Sequence, residues 1–132
     1  MKILKKKIIK IDKGSVAHMY DVNENIIKRV SEVYFSNILP NQVKAWKITN
    51  SEQFLTVPRG QVLFVVKNKI GFKKVKLGYP KNYKALYLKP NTWYGFKCVS
   101  KQEALICNIT SLTNAKAKKE KRDRSYFNFK WS

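Results

Sequence analysis

The sequence predicts an all-β protein, an antiparallel jelly roll built from one domain of 132 residues. Short segments rich in β-branched and aromatic residues follow one another, and no amphipathic helix separates them. Turn residues interrupt these segments about every ten residues, at Pro40-Asn41, Pro58-Arg59-Gly60, Gly78-Tyr79-Pro80 and Pro90-Asn91. Many short strands at this spacing are typical of a sandwich or barrel, and a jelly roll closes such a set of strands.

The predicted strands, in chain order, are residues 8–11, 15–20, 33–36, 43–48, 53–57, 61–66, 72–77, 83–88, 93–99 and 104–109. In the second of them Val16, His18 and Tyr20 share one face. Residues 72–77 alternate with lysine, which is typical of a half-exposed or edge strand. Pro58-Arg59-Gly60 is predicted to turn the chain back between two strands of a hairpin.

Helix signals are weak. Residues 24–29 predict a single helical turn, and residues 114–124 contain helix formers without an apolar stripe, so they predict an exposed helix or a solvated linker. The last residues alternate Phe127, Phe129 and Trp131, which predicts a tail that docks on the barrel or on a partner subunit. We therefore expect a single domain over 1–132, with a basic aromatic C-terminal tail at about 114–132.

The formal net charge is +20, from 28 Lys and Arg against 8 Asp and Glu. Such a charge favours anionic partners: a nucleic acid, a membrane surface or a phosphorylated small molecule. Only four of the cations are arginine, the residue that contacts guanine through two hydrogen bonds. Specific nucleic-acid recognition is therefore not expected. Two interpretations of the charge stay open. In the first, the charge forms a functional electropositive surface. In the second, it only reflects a composition in which Lys, Asn and Ile are all abundant.

No apolar stretch approaches the roughly 20 residues that span a bilayer, and the lysine-interrupted start lacks the continuous apolar region of a signal peptide. A cytoplasmic location is predicted. Cys98 and Cys107 are expected on the two arms of one hairpin, and the favoured interpretation is that both are reduced and packed. Two cysteines and one histidine cannot supply four zinc ligands, so we predict no metal and no cofactor.

Common catalytic motifs are missing. There is no GxSxG, no P-loop and no Rossmann fingerprint. The eight acidic residues are scattered, which argues against a paired-carboxylate glycosidase.

Four stretches carry a resemblance to a known family: KGSVAHMYDV, EVYFSNILPNQVKAWK, FLTVPRGQVLFVV and LYLKPNTWYGFKCVS. In this order they resemble the dTDP-4-dehydrorhamnose 3,5-epimerase family of the cupin superfamily, and most of all its short epimerase-related branch. The similarity covers roughly residues 12–111. The resemblance implies a cupin barrel (double-stranded β-helix), a homodimer, and a nucleotide sugar or other anionic small molecule as ligand. It also implies a place in deoxysugar or surface-polysaccharide biosynthesis.

The resemblance also implies that the usual acid and base are replaced. The family's epimerases abstract a proton beside a sugar ketone with a histidine and reprotonate with a tyrosine. The strand of that histidine matches 43–49, where Lys47 and Thr49 stand, and Cys107 matches the tyrosine. We name three candidate catalytic residues. Lys47 lies on the matching strand, and Tyr94 stands where the family often has a histidine before Gly-Phe. His18 is the one side chain whose ordinary pKa suits proton transfer near neutral pH. For each of them a packing or solvated role remains the alternative.

Five further residues are candidate ligand contacts by the same resemblance: Lys13, Lys44, Trp46, Gln53 and Trp93. Lys13 stands where the family has a phosphate-binding arginine, and Gln53 where other members have a substrate-binding lysine. Trp46 is either a core residue or a platform for a sugar or base.

Three functions stay open. The first is a sugar-nucleotide epimerase or isomerase with a non-standard site. The second is a non-catalytic binding protein or partner subunit, and the third is a basic nucleic-acid-binding β-barrel.

Overall fold

The computed structural model describes all 132 residues and contains no α-helix. Its eleven strands are β1 Lys2–Lys5, β2 Ile8–Ile11, β3 Gly14–Ala17, β4 Glu32–Ile38, β5 Val43–Thr49, β6 Gln53–Lys67, β7 Phe72–Tyr79, β8 Lys84–Leu88, β9 Tyr94–Cys98, β10 Ala104–Thr110 and β11 Lys119–Lys121. Two 3₁₀ turns, Val22–Glu24 and Arg124–Tyr126, complete the secondary structure. The predicted all-β class is confirmed.

The strands form two antiparallel sheets that share β6. One sheet has the order β1-β8-β6-β10-β4, and the other has the order β7-β6-β9-β5-β11. The first half of β6 pairs with β8 and β10, and the second half pairs with β7 and β9. The hairpin of β2 and β3 stands apart as a separate two-stranded sheet. β7 pairs only with β6, as predicted for an edge strand.

The predicted turn at Pro58-Arg59-Gly60 is wrong, because β6 runs through these residues as one strand. Gly60 takes a φ of 85°, a left-handed conformation that favours glycine. The pairing of β6 with β10 shifts register at the same place. Before this bulge the odd-numbered side chains, such as Leu55 and Val57, face the barrel interior. After the bulge the even-numbered side chains, such as Val62, face it.

The barrel core is a cluster of fifteen buried side chains drawn from both sheets. Because side chains alternate along a strand, β9 contributes Tyr94, Phe96 and Cys98 to the interior, and β10 contributes Ala104 and Ile106. Cys98 and Cys107 are free and buried. They do not face each other across a hairpin as expected, since β9 and β10 do not pair.

The C-terminal segment docks on the outside of the second sheet. Residues 114–124 form neither a helix nor a free linker, because β11 adds to β5 as an antiparallel edge strand. Beyond it Phe127, Phe129 and Trp131 pack against Trp46 at ring-centroid distances of 5.3, 6.1 and 5.3 Å. Of the two predicted docking surfaces, the barrel and a partner subunit, the aromatic tail contacts the barrel.

Gly95 makes this docking possible. A Cβ atom at Gly95 would lie 2.6 Å from the Cβ of Ala45 and 3.1 Å from a ring carbon of Trp131. The missing side chain lets the tryptophan lie directly on β9.

None of the helical segments is long and apolar enough to cross a membrane.

Candidate functional site

A cavity of about 210 Å³ lies at one end of the barrel, between strands of both sheets and the C-terminal segment. Most of its lining residues are polar or basic, and five are hydrophobic. Its lining residues are Tyr34, Lys47, Ile48, Thr49, Ser51, Gln53, Tyr94, Thr110, Leu112, Asn114, Ala117, Lys119 and Lys121. No carboxylate or imidazole lines it, so lysine and tyrosine are its only titratable groups.

Lys47 is the inward-pointing cation of this cavity. Its ammonium nitrogen Nζ lies 4.9 Å from the ring centroid of Phe96 and 5.5 Å from that of Tyr94. The pKa of Lys47 is lowered to about 8, first by burial and then by the positive charges of Lys44, Lys121 and Lys119. A neutral amine, which can accept a proton, is therefore present in a useful fraction near neutral pH.

A hydrogen-bond network joins three strands behind the cavity. The hydroxyl of Tyr94 donates to Oε1 of Gln53 at 2.7 Å. The amide nitrogen Nδ2 of Asn108 donates to the same Oε1 and to the hydroxyl oxygen of Tyr34, both at 3.0 Å. Since an amide nitrogen can only donate, the hydroxyl of Tyr34 acts here as an acceptor.

The two tyrosines at the ends of this network have different roles. Burial raises the pKa of Tyr94 above its usual value, the nearby Tyr34 raises it further, and the hydrogen bond to Gln53 opposes this shift. Tyr94 is thus a protonated phenol whose proton is committed to Gln53. The hydroxyl of Tyr34 accepts from Asn108, so this bond does not use its O–H hydrogen, and Tyr34 lines the cavity. Tyr34 is therefore the phenol free to donate to a ligand.

The structure brings together three of the predicted site residues: Lys47, Gln53 and Tyr94. Trp46 lies on the opposite face of β5, where it is 1% exposed. Its Nε1 donates to the carbonyl oxygen of Arg124 at 3.0 Å, so the core interpretation describes its position. Trp93 packs against Tyr126 in the C-terminal segment.

The other predicted residues lie outside the cavity. Lys44 is exposed and donates to the carbonyl oxygen of Asn37 at 3.2 Å. His18 and Lys13 are exposed residues of the separate β2–β3 hairpin region. The backbone N–H of His18 donates to the carbonyl oxygen of Lys7 at 2.9 Å. A catalytic role for His18 and a phosphate contact for Lys13 stay predictions.

Sequence reasoning missed four residues: Tyr34, Asn108, Lys119 and Lys121. The resemblance matches Cys107 to the family's tyrosine. On β10 Cys107 alternates with Asn108, whose amide reaches Gln53 inside the site, and Cys107 lies opposite Thr56 on the neighbouring strand. Adjacent residues of a strand point to opposite faces of the sheet, so Asn108 is the residue of this pair that reaches the site. The spacing along β4 could have identified Tyr34. Alternate residues of a strand share one face, and Tyr34 lies four residues before the buried Ile38, so both are on the inner face.

Comparison with solved structures identifies the class of fold. A dTDP sugar isomerase from Desulfovibrio desulfuricans G20 superposes with a TM-score of 0.85 at 28% identity, over 98% of this chain and 89% of that chain. A TDP-quinovose 3,4-ketoisomerase from Campylobacter jejuni gives a TM-score of 0.70 at 23% identity, over 85% of each chain.

A dTDP-6-deoxy-D-glucose-3,5-epimerase from Legionella pneumophila, solved with dTDP-4-keto-L-rhamnose, gives a TM-score of 0.77 at 14% identity, over 90% of this chain and 70% of that chain. No protein-family model and no curated protein matches the sequence. The protein therefore has the cupin jelly-roll fold of the dTDP-sugar epimerases and isomerases, as the resemblance predicted.

Proposed function

We propose that this protein binds a nucleotide-linked deoxysugar in the cavity and moves a proton at a carbon beside the sugar ketone. The placement of Lys47 carries the proposal, because its amine points into the cavity and has a pKa of about 8. The 28% identity to a dTDP sugar isomerase supports the ligand class. In this proposal the chain acts in deoxysugar biosynthesis.

The proposed chemistry needs a base and a hydrogen-bond donor. The neutral amine of Lys47 takes the proton from the carbon next to the ketone, and the electron pair of that C–H bond forms a carbon–carbon double bond. The carbonyl oxygen gains the negative charge, and the free O–H of Tyr34 donates to it. Return of a proton to either face, or to the neighbouring carbon, completes an epimerisation or an isomerisation.

The experiment is solvent deuterium exchange into dTDP-4-keto-6-deoxyglucose, followed by NMR. We expect exchange at one ring carbon only, since the cavity supplies a single base and Thr49 is not a base at neutral pH. Lys47→Met should abolish the exchange, and Tyr34→Phe should slow it by about a hundredfold or more. Tyr126→Phe, a change at an exposed ring outside the cavity, is the matched control.

Rapid exchange at both C3 and C5 would show ordinary 3,5-epimerase activity and overturn the single-base mechanism. Exchange that survives Lys47→Met would remove Lys47 from the chemistry. His18→Ala serves as a further variant, because histidine is the side chain whose ordinary pKa suits proton transfer near neutral pH.

Binding without catalysis is the second candidate function, favoured by the absence of histidine and carboxylate from the cavity wall. A ligand that binds only the native state raises the melting temperature. A clear thermal shift with nucleotide sugars, together with no exchange at any carbon, would select this function over the first.

We also propose that the protein forms a homodimer through β4 and the β2–β3 hairpin. β4 pairs only with β10, and its outward-facing Val33 and Phe35 are 53% and 63% exposed. The hairpin exposes Ile9, Ile11 and Val16 in the same way. Light scattering at micromolar concentration should give twice the chain mass for the wild type and for Ile70→Lys, and the chain mass for Phe35→Lys. A monomeric wild type would contradict the dimer.

A cytoplasmic location is part of this proposal, and the two free cysteines are consistent with a reducing compartment.

A further inference from the structure

The C-terminal segment places two lysines at the mouth of the cavity. β11 pairs antiparallel with β5, so that Lys119 lies opposite Thr49 and Lys121 lies opposite Lys47. Both lysines line the cavity, whereas Glu120 between them does not. The carboxylate of Glu120 instead binds Arg122 at 3.0 Å. The alternation of β11 thus directs positive charge alone towards the cavity.

Three lysines therefore line one cavity, and no carboxylate residue lines it with them. Lys121 and Lys47 form a like-charged pair directly across two strands, an arrangement that destabilises a sheet. The charges of Lys121 and Lys119 act on Lys47 in the direction that disfavours its protonated form. A ligand with several negative charges would remove this repulsion.

The segment that carries these lysines is held firmly. The backbone N–H of Trp46 donates to the carbonyl oxygen of Arg122 at 2.8 Å, and the N–H of Arg122 donates back at 2.9 Å. The ammonium group of Lys119 also donates to Oδ1 of Asn114, which lines the same cavity. A site fixed before binding loses less conformational entropy when a ligand arrives.

We infer that Lys119 and Lys121 form the subsite for the diphosphate group of the ligand, and that Lys47 lies beyond it, against the sugar. The inference rests on the proposed function, and it names the part of the ligand that the C-terminal segment recognises. A diphosphate carries enough charge for two lysines and accepts short, charge-assisted hydrogen bonds from ammonium groups. In this arrangement the sugar lies against Tyr34 and Lys47, and the nucleoside extends beyond the cavity mouth.

Isothermal titration with inorganic diphosphate and with thymidine diphosphate tests the subsite. Lys119→Gln combined with Lys121→Gln should weaken both ligands by about tenfold or more, since two charge-assisted contacts are lost. The control combines Lys73→Gln with Lys74→Gln on the exposed edge strand β7, which changes the net charge equally. The control should bind like the wild type.

The outcomes separate the two proposals. Equal diphosphate affinity in the Lys119/Lys121 variant and the Lys73/Lys74 control would overturn the subsite, and nucleotide-sugar binding by that variant would leave the proposed function intact. If the wild type binds inorganic diphosphate but no nucleotide sugar, the subsite stands and the proposed function fails. If the wild type binds neither, both are overturned.

Discussion

Lys47 differs from the other lysines of this highly basic chain because its surroundings favour the neutral amine. It lies over two aromatic rings inside the barrel, and three other lysines act on it. In the proposed mechanism this lysine takes the role of base that the resemblance gives to a histidine. The same placement has a cost in stability that can be measured.

Lys47→Met should stabilise the protein below about pH 8. A folded-state pKa of about 8 against 10.5 in the unfolded chain means that the unfolded chain binds more protons between these values. The free energy of unfolding of the wild type therefore rises with pH across this window. The variant should exceed the wild type by on the order of 3 kcal/mol below the window, and this difference should shrink above it.

Urea denaturation over a range of pH measures this difference. Lys73→Met on the exposed face of β7 is the control for the loss of one surface charge. A difference between Lys47→Met and wild type that stays constant with pH would show that Lys47 keeps its ordinary pKa in the fold.

The bulge in β6 is the element on which the barrel geometry depends. Gly60 combines a φ of 85° with close packing, since an added Cβ would lie 2.8 Å from the Cβ of Ala104. Gly60→Ala should therefore destabilise the protein by about 2 kcal/mol or more. Gly71→Ala is the matched control, because no atom lies within 4 Å of its added Cβ. Equal melting temperatures for the two variants would contradict a strained bulge.

The elements were largely predictable because β-branched and aromatic runs mark the strands that fill the core. The bulge was not, since Pro, Arg and Gly are also the residues of a tight turn. Here Arg59 pairs with β10 and Gly60 pairs with β7, and this pairing keeps the strand continuous. β11 was missed because Lys119–Lys121 contains only charged residues. It is a strand because its backbone pairs with β5 and the aromatic residues after it are buried.

The site was predictable only where one strand carries the signal. Lys47 and Tyr94 lie in stretches that resemble a known family, and Gln53 directly precedes another such stretch. Tyr34 and Asn108 are 74 positions apart and meet because β4 pairs with β10 in one particular register. A single sequence does not specify that register, so the contact between Tyr34 and Asn108 was not predictable.

At the scale of the whole molecule, the charge of +20 is spread over both the barrel and its C-terminal segment. Lysines occur on β1, β5, β7 and β11, which lie in different parts of the two sheets. We expect binding to DNA or RNA to be weak, insensitive to sequence, and steeply reduced as salt rises from roughly 50 to 200 mM. Fluorescence anisotropy with two unrelated oligonucleotides tests this, and tight, sequence-selective binding at physiological salt would contradict it.

The sharing of β6 between the sheets also bears on how the molecule opens. One continuous strand supplies hydrogen-bond partners to four neighbours, so neither sheet can separate without disturbing the other. Amide protons of residues 53–57 and 62–66 should therefore exchange with solvent at a common free energy, that of global unfolding. The amides of the separate β2–β3 hairpin should exchange through smaller, local openings, so that the barrel behaves as one cooperative unit with a more labile arm.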